Sequence, residues 1–319
     1  MRVSMVVPYY GRLPKWFPLF LKSAGRNEGV QFFIVTDQKV PLPLPPNVCH
    51  VPVALAEIER RVRNAVSRDF RLSCGYKLCD VRPFYGIVFE ELFRDSQFWG
   101  YCDLDLVFGD LAPLLNSGRL EEADFYSADA PDPVVGTFCL YRNTERMNFF
   151  GRSIPEYIRR LNSPEYESLD EKELTKALAQ ASDIRQIRAD KLAESQLSIS
   201  ADGRMVGRVL DVVGDPNEFY WADGHTFVGS SGRQPQEVMY LHFIGLKRSY
   251  HWAAYDPARE YTEFGFSAAG FQPWKTPPTR AAATRLKARA LTLRSLSWGR
   301  AQVARRLSTS FRHKLKSWF

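Results

Sequence analysis

Apolar and polar positions change rhythm repeatedly along the chain. Short apolar runs, Val3 to Val7, Phe32 to Thr36 and Val48 to Val53, alternate with stretches of helical spacing, Trp16 to Ser23 and about Leu55 to Val66. The runs predict strands and the stretches predict helices that cover them, which is the βαβ rhythm of an open, mostly parallel sheet flanked by helices. A further helix is predicted from about Pro83 to Phe93, ahead of an apolar strand from Phe98 to Cys102. Two later runs, Gly136 to Asn143 and Val238 to Phe243, also read as strands. A glycine opening the first of these either lets a ligand approach the backbone closely or marks a simple bulge.

The Phe98 strand ends in two acids separated by one residue, Asp103 and Asp105, within YCDLDLVFGD. Alternate residues of an extended chain share a face, so the two carboxylates can converge on one hard cation. They would do so at the strand's carboxyl edge, where α/β folds bind ligands. Mg²⁺ or Mn²⁺ takes a few carboxylates and keeps its other positions for water or phosphate oxygens, so a diphosphate is the expected ligand. An Asp-rich turn explains the same two residues. Tyr9, in the PYYGR turn, and Asp37, after the second strand, fall on the same predicted edge. There Asp37 can accept hydrogen bonds from a ribose or base, or simply form a turn.

The chain has 319 residues, 45% of them apolar and 13% aromatic, enough for one large core or two modest ones. No stretch approaches the roughly 18 apolar residues of a membrane span. The opening Met1 to Pro8 is too strand-like for a signal peptide, so a cytoplasmic protein is expected. Five cysteines, an odd number without CxxC spacing, suit a reducing compartment and indicate neither a zinc site nor a disulfide framework.

The net charge of +7 is uneven. Thr276 to Phe319 holds eleven Lys and Arg and no acid, which leaves the preceding residues at −4. Pro277 and Pro278 punctuate the junction, so a domain of residues 1–275 and a basic helical tail of residues 276–319 are predicted. In the tail Val303, Leu307, Phe311, Leu315 and Trp318 share one helical face, with Arg305, Arg306, Arg312 and Lys316 mostly off it. That pattern describes a helix lying in an anionic membrane interface, and predicts peripheral association with the inner face of the plasma membrane. Nucleic acid would attract the same charge, but the apolar stripe argues for lipid, and no nucleic-acid partner is expected.

The order VPYYG, FFIVTD, YKLCDVRPFYG, FWGYCDLDLVFGDL, GTFCLYRN and YLHFIGLKRSY resembles a bacterial group of glycosyltransferases of the GT-A fold. The resemblance covers most of residues 1–250 and is most specific from Tyr76 to Leu111. It implies a single Rossmann-like GT-A domain and a hexosyltransferase-type enzyme that uses a nucleotide sugar, UDP- or GDP-linked. It also implies Mn²⁺ or Mg²⁺ held by the DxD motif, here Asp103 and Asp105, and a surface glycan or lipid-linked glycan as acceptor. More distantly the chain is similar to glycogenin-like and mannosyltransferase-like GT-A families. In those, a histidine in an HFxGxxKPW segment completes the metal shell and its lysine touches phosphate. His242 and Lys247 match these positions, while Arg248-Ser249 replaces Pro-Trp.

The same likeness implies donor contacts for Lys77, Asp80 and Arg82, although the related Asp and Arg stand three apart and these stand two apart. A solvated helix start explains Asp80 equally well, and Lys77 and Arg82 can pair with surface carboxylates. Phe149, Tyr157, Tyr166, Tyr220 and Trp221 are available to stack on an acceptor or to fill a core. Asp132, Asp170, Glu171 and Asp223 are the carboxylates that could take the acceptor's proton. Two readings from other classes compete. DLDLV also matches the start of haloacid-dehalogenase-type phosphatases, in which the first Asp is the nucleophile, and a non-catalytic sugar-nucleotide-binding module is the other.

Overall fold

The structure, a computed structural model, describes residues 1–41, 43–116, 118–127, 134, 136–188, 194–199, 205–209, 216–230, 236–242, 252, 254–267 and 270–273. It divides into two compact units. One comprises residues 1–104 and 111–193, and the other residues 105–110 and 194 onward.

The first unit is a mixed α/β layer built on a seven-stranded sheet. Its strands are β1 (Val3–Pro8), β2 (Val30–Thr36), β3 (Val48–Pro52), β4 (Phe98–Cys102), β6 (Phe125–Ser127), β7 (Phe138–Arg142) and β8 (Gln186–Arg188), in the order β3-β2-β1-β4-β7-β6-β8. The run β3-β2-β1-β4 is parallel, β7 is antiparallel to β4 and β6, and β8 is parallel to β6. Central parallel strands are covered on both faces, which is why Val3 to Val7 and all of β4 are buried. Helix α1 (Phe17–Gly25) starts with a proline in its first turn, where the missing N–H costs nothing. Helix α2 (Leu55–Ala65) buries Ile58 and Val62, four apart on one face, and turns Glu57 outward to Arg60 and Arg61.

One predicted element differs. The expected helix from Pro83 to Phe93 is a series of short turns, with 3₁₀ segments Arg82–Phe84 and Glu90–Leu92 around a single α-turn, Tyr85–Val88. Pro83, Phe84, Tyr85, Gly86, Val88, Phe89 and Phe93 are all buried. A continuous helix cannot point so many neighbours inward, and a Cβ at Gly86 would stand 2.8 Å from the Trp99 ring and 2.9 Å from the Asn148 backbone. Tertiary packing therefore overrides the local helical pattern.

The regular elements of the second unit, among the described residues, are strands in two sheets. Strands β5 (Leu106–Phe108), β9 (Glu194–Ile199), β10 (Met205–Val209) and β14 (Tyr240–His242) form one sheet in the order β10-β9-β14-β5. Strands β11 (Pro216–Ala222), β12 (His225–Ser230), β13 (Gln236–Val238), β15 (Glu263–Ser267) and β16 (Gly270–Gln272) form the other, in the order β13-β12-β11-β15-β16. Trp221 stacks on Phe264 at 5.2 Å between ring centres, and its Nε1 donates to the Phe108 carbonyl at 2.8 Å. The expected strand Val238 to Phe243 is β13 and β14, interrupted at Met239, with Phe243 outside the described residues. Among the described residues no helix is long and apolar enough to cross a membrane. The predicted tail, residues 276–319, lies outside the described residues.

Candidate functional site

Parallel register in the first unit gathers three turns on one edge. Val7 pairs with Ile34, and Val6 pairs with Tyr101, so the carboxyl ends of β2, β1 and β4 lie side by side. Asp37, Tyr9 and Asp103 follow those ends. Asp37 is exposed and accepts from Gln38 Nε2 at 2.7 Å, while the Tyr9 amide donates to the Val35 carbonyl at 2.9 Å.

Arg82 is the hub of this edge. Its Nη2 donates to Asp103 Oδ1, and its Nη1 donates to Asp170 Oδ2 at 2.9 Å and to the Gly136 carbonyl at 2.8 Å. The guanidinium also lies over the Tyr101 ring, 5.1 Å from its centre, where the ring's negative face adds to the attraction. Asp170 is buried, and its Oδ1 accepts from the Tyr166 hydroxyl at 2.8 Å. Burial pushes the Asp170 carboxyl up to about 7; Arg82 pulls the other way and Glu171 adds to the rise. Glu171 accepts the Gly136 amide at 3.1 Å. Gly136 stands in the turn before β7, which opens at Phe138, rather than within the strand. Only a residue without a side chain fits there, since a Cβ would lie 2.8 Å from Asp170 Oδ2.

Lys77 and Asp80 hold this arrangement from below. Lys77 Nζ donates to Asp80 Oδ2 at 2.8 Å, to the Arg160 carbonyl at 3.0 Å and to the Glu165 carbonyl at 2.7 Å. An ammonium has three protons, so these contacts use all of them. Asp80 in turn accepts the amides of Glu167 and Leu169, each at 2.9 Å. The pair thereby pins the turn that delivers Asp170 to Arg82, and neither side chain reaches the surface. Lys77 and Asp80, for which the resemblance implied donor contacts, are engaged by these internal partners in this arrangement. Their i, i+3 spacing on one helical turn is the signal that points to pairing.

In the second unit β5 runs antiparallel to β14, with Leu106 opposite His242. That register sets Asp105, the residue before β5, against the histidine. Asp105 Oδ2 lies 2.9 Å from His242 Nε2, and both side chains are buried. Asp223 stands elsewhere, at the tip of the β11–β12 hairpin. With φ of 48° at Asp223 and 92° at Gly224 between paired Ala222 and His225, this is the Asp-Gly turn that right-twisted hairpins favour. The hairpin turn by itself accounts for an Asp-Gly pair at this position. Asp132 and Lys247 lie outside the described residues.

No curated protein matches the chain. Among solved structures it is similar to galactosyltransferase LgtC in complex with donor and acceptor sugar analogs, at 11% identity over 60% of this chain and 75% of that one, TM-score 0.36. It is also similar to the glycosyltransferase GlyE of Streptococcus pneumoniae TIGR4, at 14% identity over 60% of this chain and 46% of that one, TM-score 0.37. A third likeness is to mouse xyloside xylosyltransferase 1, at 9% identity over 62% of this chain and 88% of that one, TM-score 0.38. The family model that matches covers residues 5–272, and the chain accordingly belongs to DUF6625, a family of unknown function.

Proposed function

We propose that the protein is a cation-dependent glycosyltransferase that moves a sugar from a nucleotide sugar to a glycan or lipid-linked glycan. The observation that carries this reading is the buried pair of Asp105 and His242 at 2.9 Å, with Asp103 two positions before Asp105. Two carboxylates and an imidazole make a donor set suited to Mn²⁺ or Mg²⁺. As ligands, Asp105 and His242 would give up the proton they share. A bound cation would supply charge for the leaving diphosphate.

In the reaction an acceptor oxygen attacks the anomeric carbon, the bond from that carbon to the diphosphate oxygen breaks, and the acceptor's proton passes to a base. Asp170 and Glu171 are the acids nearest Asp103 on the Arg82 hub. A carboxyl with a pKa of about 7, as at Asp170, can hold or release a proton near neutral pH. Arg82 fixes the direction of the Asp103 carboxylate, and Tyr9 and Asp37 would meet the nucleoside on the same sheet edge. The phosphatase reading fits less well, because β4 follows three strands of its sheet instead of opening it.

The test is release of free nucleotide from a panel of UDP- and GDP-sugars, with and without Mn²⁺. Release that requires the metal is expected; phosphate release without nucleotide specificity would favour the phosphatase. The tail would tether the enzyme to an anionic leaflet, beside a lipid-linked acceptor. Truncation after Pro278 should abolish co-sedimentation with anionic vesicles and keep donor hydrolysis; vesicle binding that survives truncation refutes the tether.

A further inference from the structure

Helix α1 begins on a residue that its own first turn does not favour. Ser, Thr, Asp and Asn are preferred at an N-cap because their side chains accept from the first amides of the helix, yet the N-cap of α1 is Trp16. Its backbone carbonyl accepts the amides of Leu19 at 2.9 Å and Phe20 at 3.3 Å, while its side chain makes no capping bond. The indole reaches elsewhere, across 88 positions: Nε1 donates to the Leu104 carbonyl at 3.1 Å. A choice that costs the helix a capping bond and places a donor on one distant carbonyl points to a need at that carbonyl.

Leu104 separates the two acids of the candidate cation site, and it does not continue β4. The strand ends at Cys102, Leu104 and Asp105 form a turn, and β5 begins at Leu106. The two carboxylates are therefore not aimed by the alternation of an extended chain, and their directions depend on how the turn is held. Hydrogen bonds on either side hold it. The Asp103 amide donates to the Thr137 carbonyl at 3.0 Å, and the Leu104 carbonyl accepts from Trp16. With planar peptides, only the φ and ψ of Asp103 and Leu104 lie between those two bonded atoms. The bonds thus restrict the backbone that aims Asp103, and the second fixes the peptide plane from which Asp105 departs.

We infer that Trp16 is a positioning residue for the cation: its indole N–H fixes the Leu104 to Asp105 peptide and so sets the directions of the Asp103 and Asp105 carboxylates. The inference rests on the cation-dependent reading proposed above. Mn²⁺ and Mg²⁺ favour octahedral geometry, with ligand distances held within about 0.2 Å, so a turn that carries two ligands has little tolerance. A carbonyl that loses its donor away from bulk water turns toward another partner, and both acids would move with it. Trp16 acts only through this turn, because an indole N–H is a donor and cannot be a ligand.

The test is Mn²⁺ titration of the full chain followed by electron paramagnetic resonance, which counts free Mn²⁺ and records the spectrum of the bound ion. Trp16→Phe keeps an aromatic ring and loses the N–H. In a variant that far-UV circular dichroism shows to be folded, the Mn²⁺ dissociation constant should rise at least tenfold and the bound spectrum should broaden as the ligand set distorts. If the phenylalanine variant fails to fold, 3-benzothienylalanine at position 16 replaces it, with the shape of tryptophan and a sulfur in place of the N–H. A role confined to packing would lower the melting temperature and leave the bound spectrum as in the parent. A smaller loss of affinity, or an unchanged bound spectrum, overturns the positioning role and leaves the cation site standing. A parent chain that binds no Mn²⁺ removes the cation-dependent reading and the role of Trp16 together.

Discussion

Nζ of Lys77 lies 2.8 Å from Oδ2 of Asp80, with the two side chains 1% and 0% exposed. Each charge is tolerable in the interior only because the other is there and because backbone groups complete the hydrogen bonds. Lys77→Met should therefore cost about 3–5 kcal/mol, since it strands the aspartate, and its carboxylate can then no longer hold the 167–169 turn without penalty. Urea denaturation monitored by far-UV circular dichroism measures this. A cost below about 1 kcal/mol would mean that the ion pair is not what supports Asp170.

Asp103→Asn and Asp105→Asn should each lower metal-dependent nucleotide release at least a hundredfold. An amide is a poor substitute for a charged hard ligand, and the cation is expected to contribute several kcal/mol at the leaving group. The two substitutions should differ in stability. Asp105→Asn disturbs a buried partner of His242, whereas Asp103 is partly exposed, so thermal melting should show the larger loss for Asp105. Full turnover in either variant, or in EDTA, removes the cation from the mechanism.

The sheet was largely legible in the chain, because strands buried on both faces read as apolar runs and β1 to β4 are such strands. The pair Asp103 and Asp105 was visible for the same reason, as acids closing an apolar run. What was hidden lies in pairings across long sequence distance. Arg82 meets Asp170 over 88 residues, and no local period encodes which acid a buried arginine selects. The segment after Pro83 misled because its apolar residues have helical content but no single face. Asp223 carries a local signal of another kind: Asp-Gly between two strand-like runs is a hairpin turn, which a reading for chemistry passes over.

Stability should fall as pH rises from about 4 to about 7, to the extent that Asp170 controls it. The carboxyl of Asp170 has a usual value of 3.8 and is raised to about 7 in the fold, first by burial. A folded pKa above the unfolded one means that the native state binds more protons across that window. The stabilisation is thus complete below about pH 4 and lost as pH climbs through about 7, by at most about 4 kcal/mol. Asp170→Asn has no such proton to lose. Urea midpoints between pH 4 and 7.5 should slope downward for the parent and flatten for the variant, after subtraction of the slope common to both. Parallel slopes would place the titration elsewhere.

Gly136 is where backbone geometry, rather than charge, decides whether the Arg82 hub can form. Its carbonyl accepts from Arg82 at 2.8 Å and its amide donates to Glu171 at 3.1 Å, so the chain threads between the arginine and both acids. An alanine Cβ would stand 2.8 Å from Asp170 Oδ2, and 3.1 Å from both Arg82 Nη1 and Glu171 Cγ. Contacts of that kind force a shift, and the buried Asp170 has little room to give. Gly136→Ala should cost about 1–3 kcal/mol of stability, as overpacking does. It should also reduce nucleotide release at least tenfold, because the guanidinium that orients Asp103 must move with its partners. Denaturation and turnover measured on the same preparation separate the two effects. A variant that loses stability but keeps full turnover would show that Arg82 supports the fold without setting the direction of Asp103.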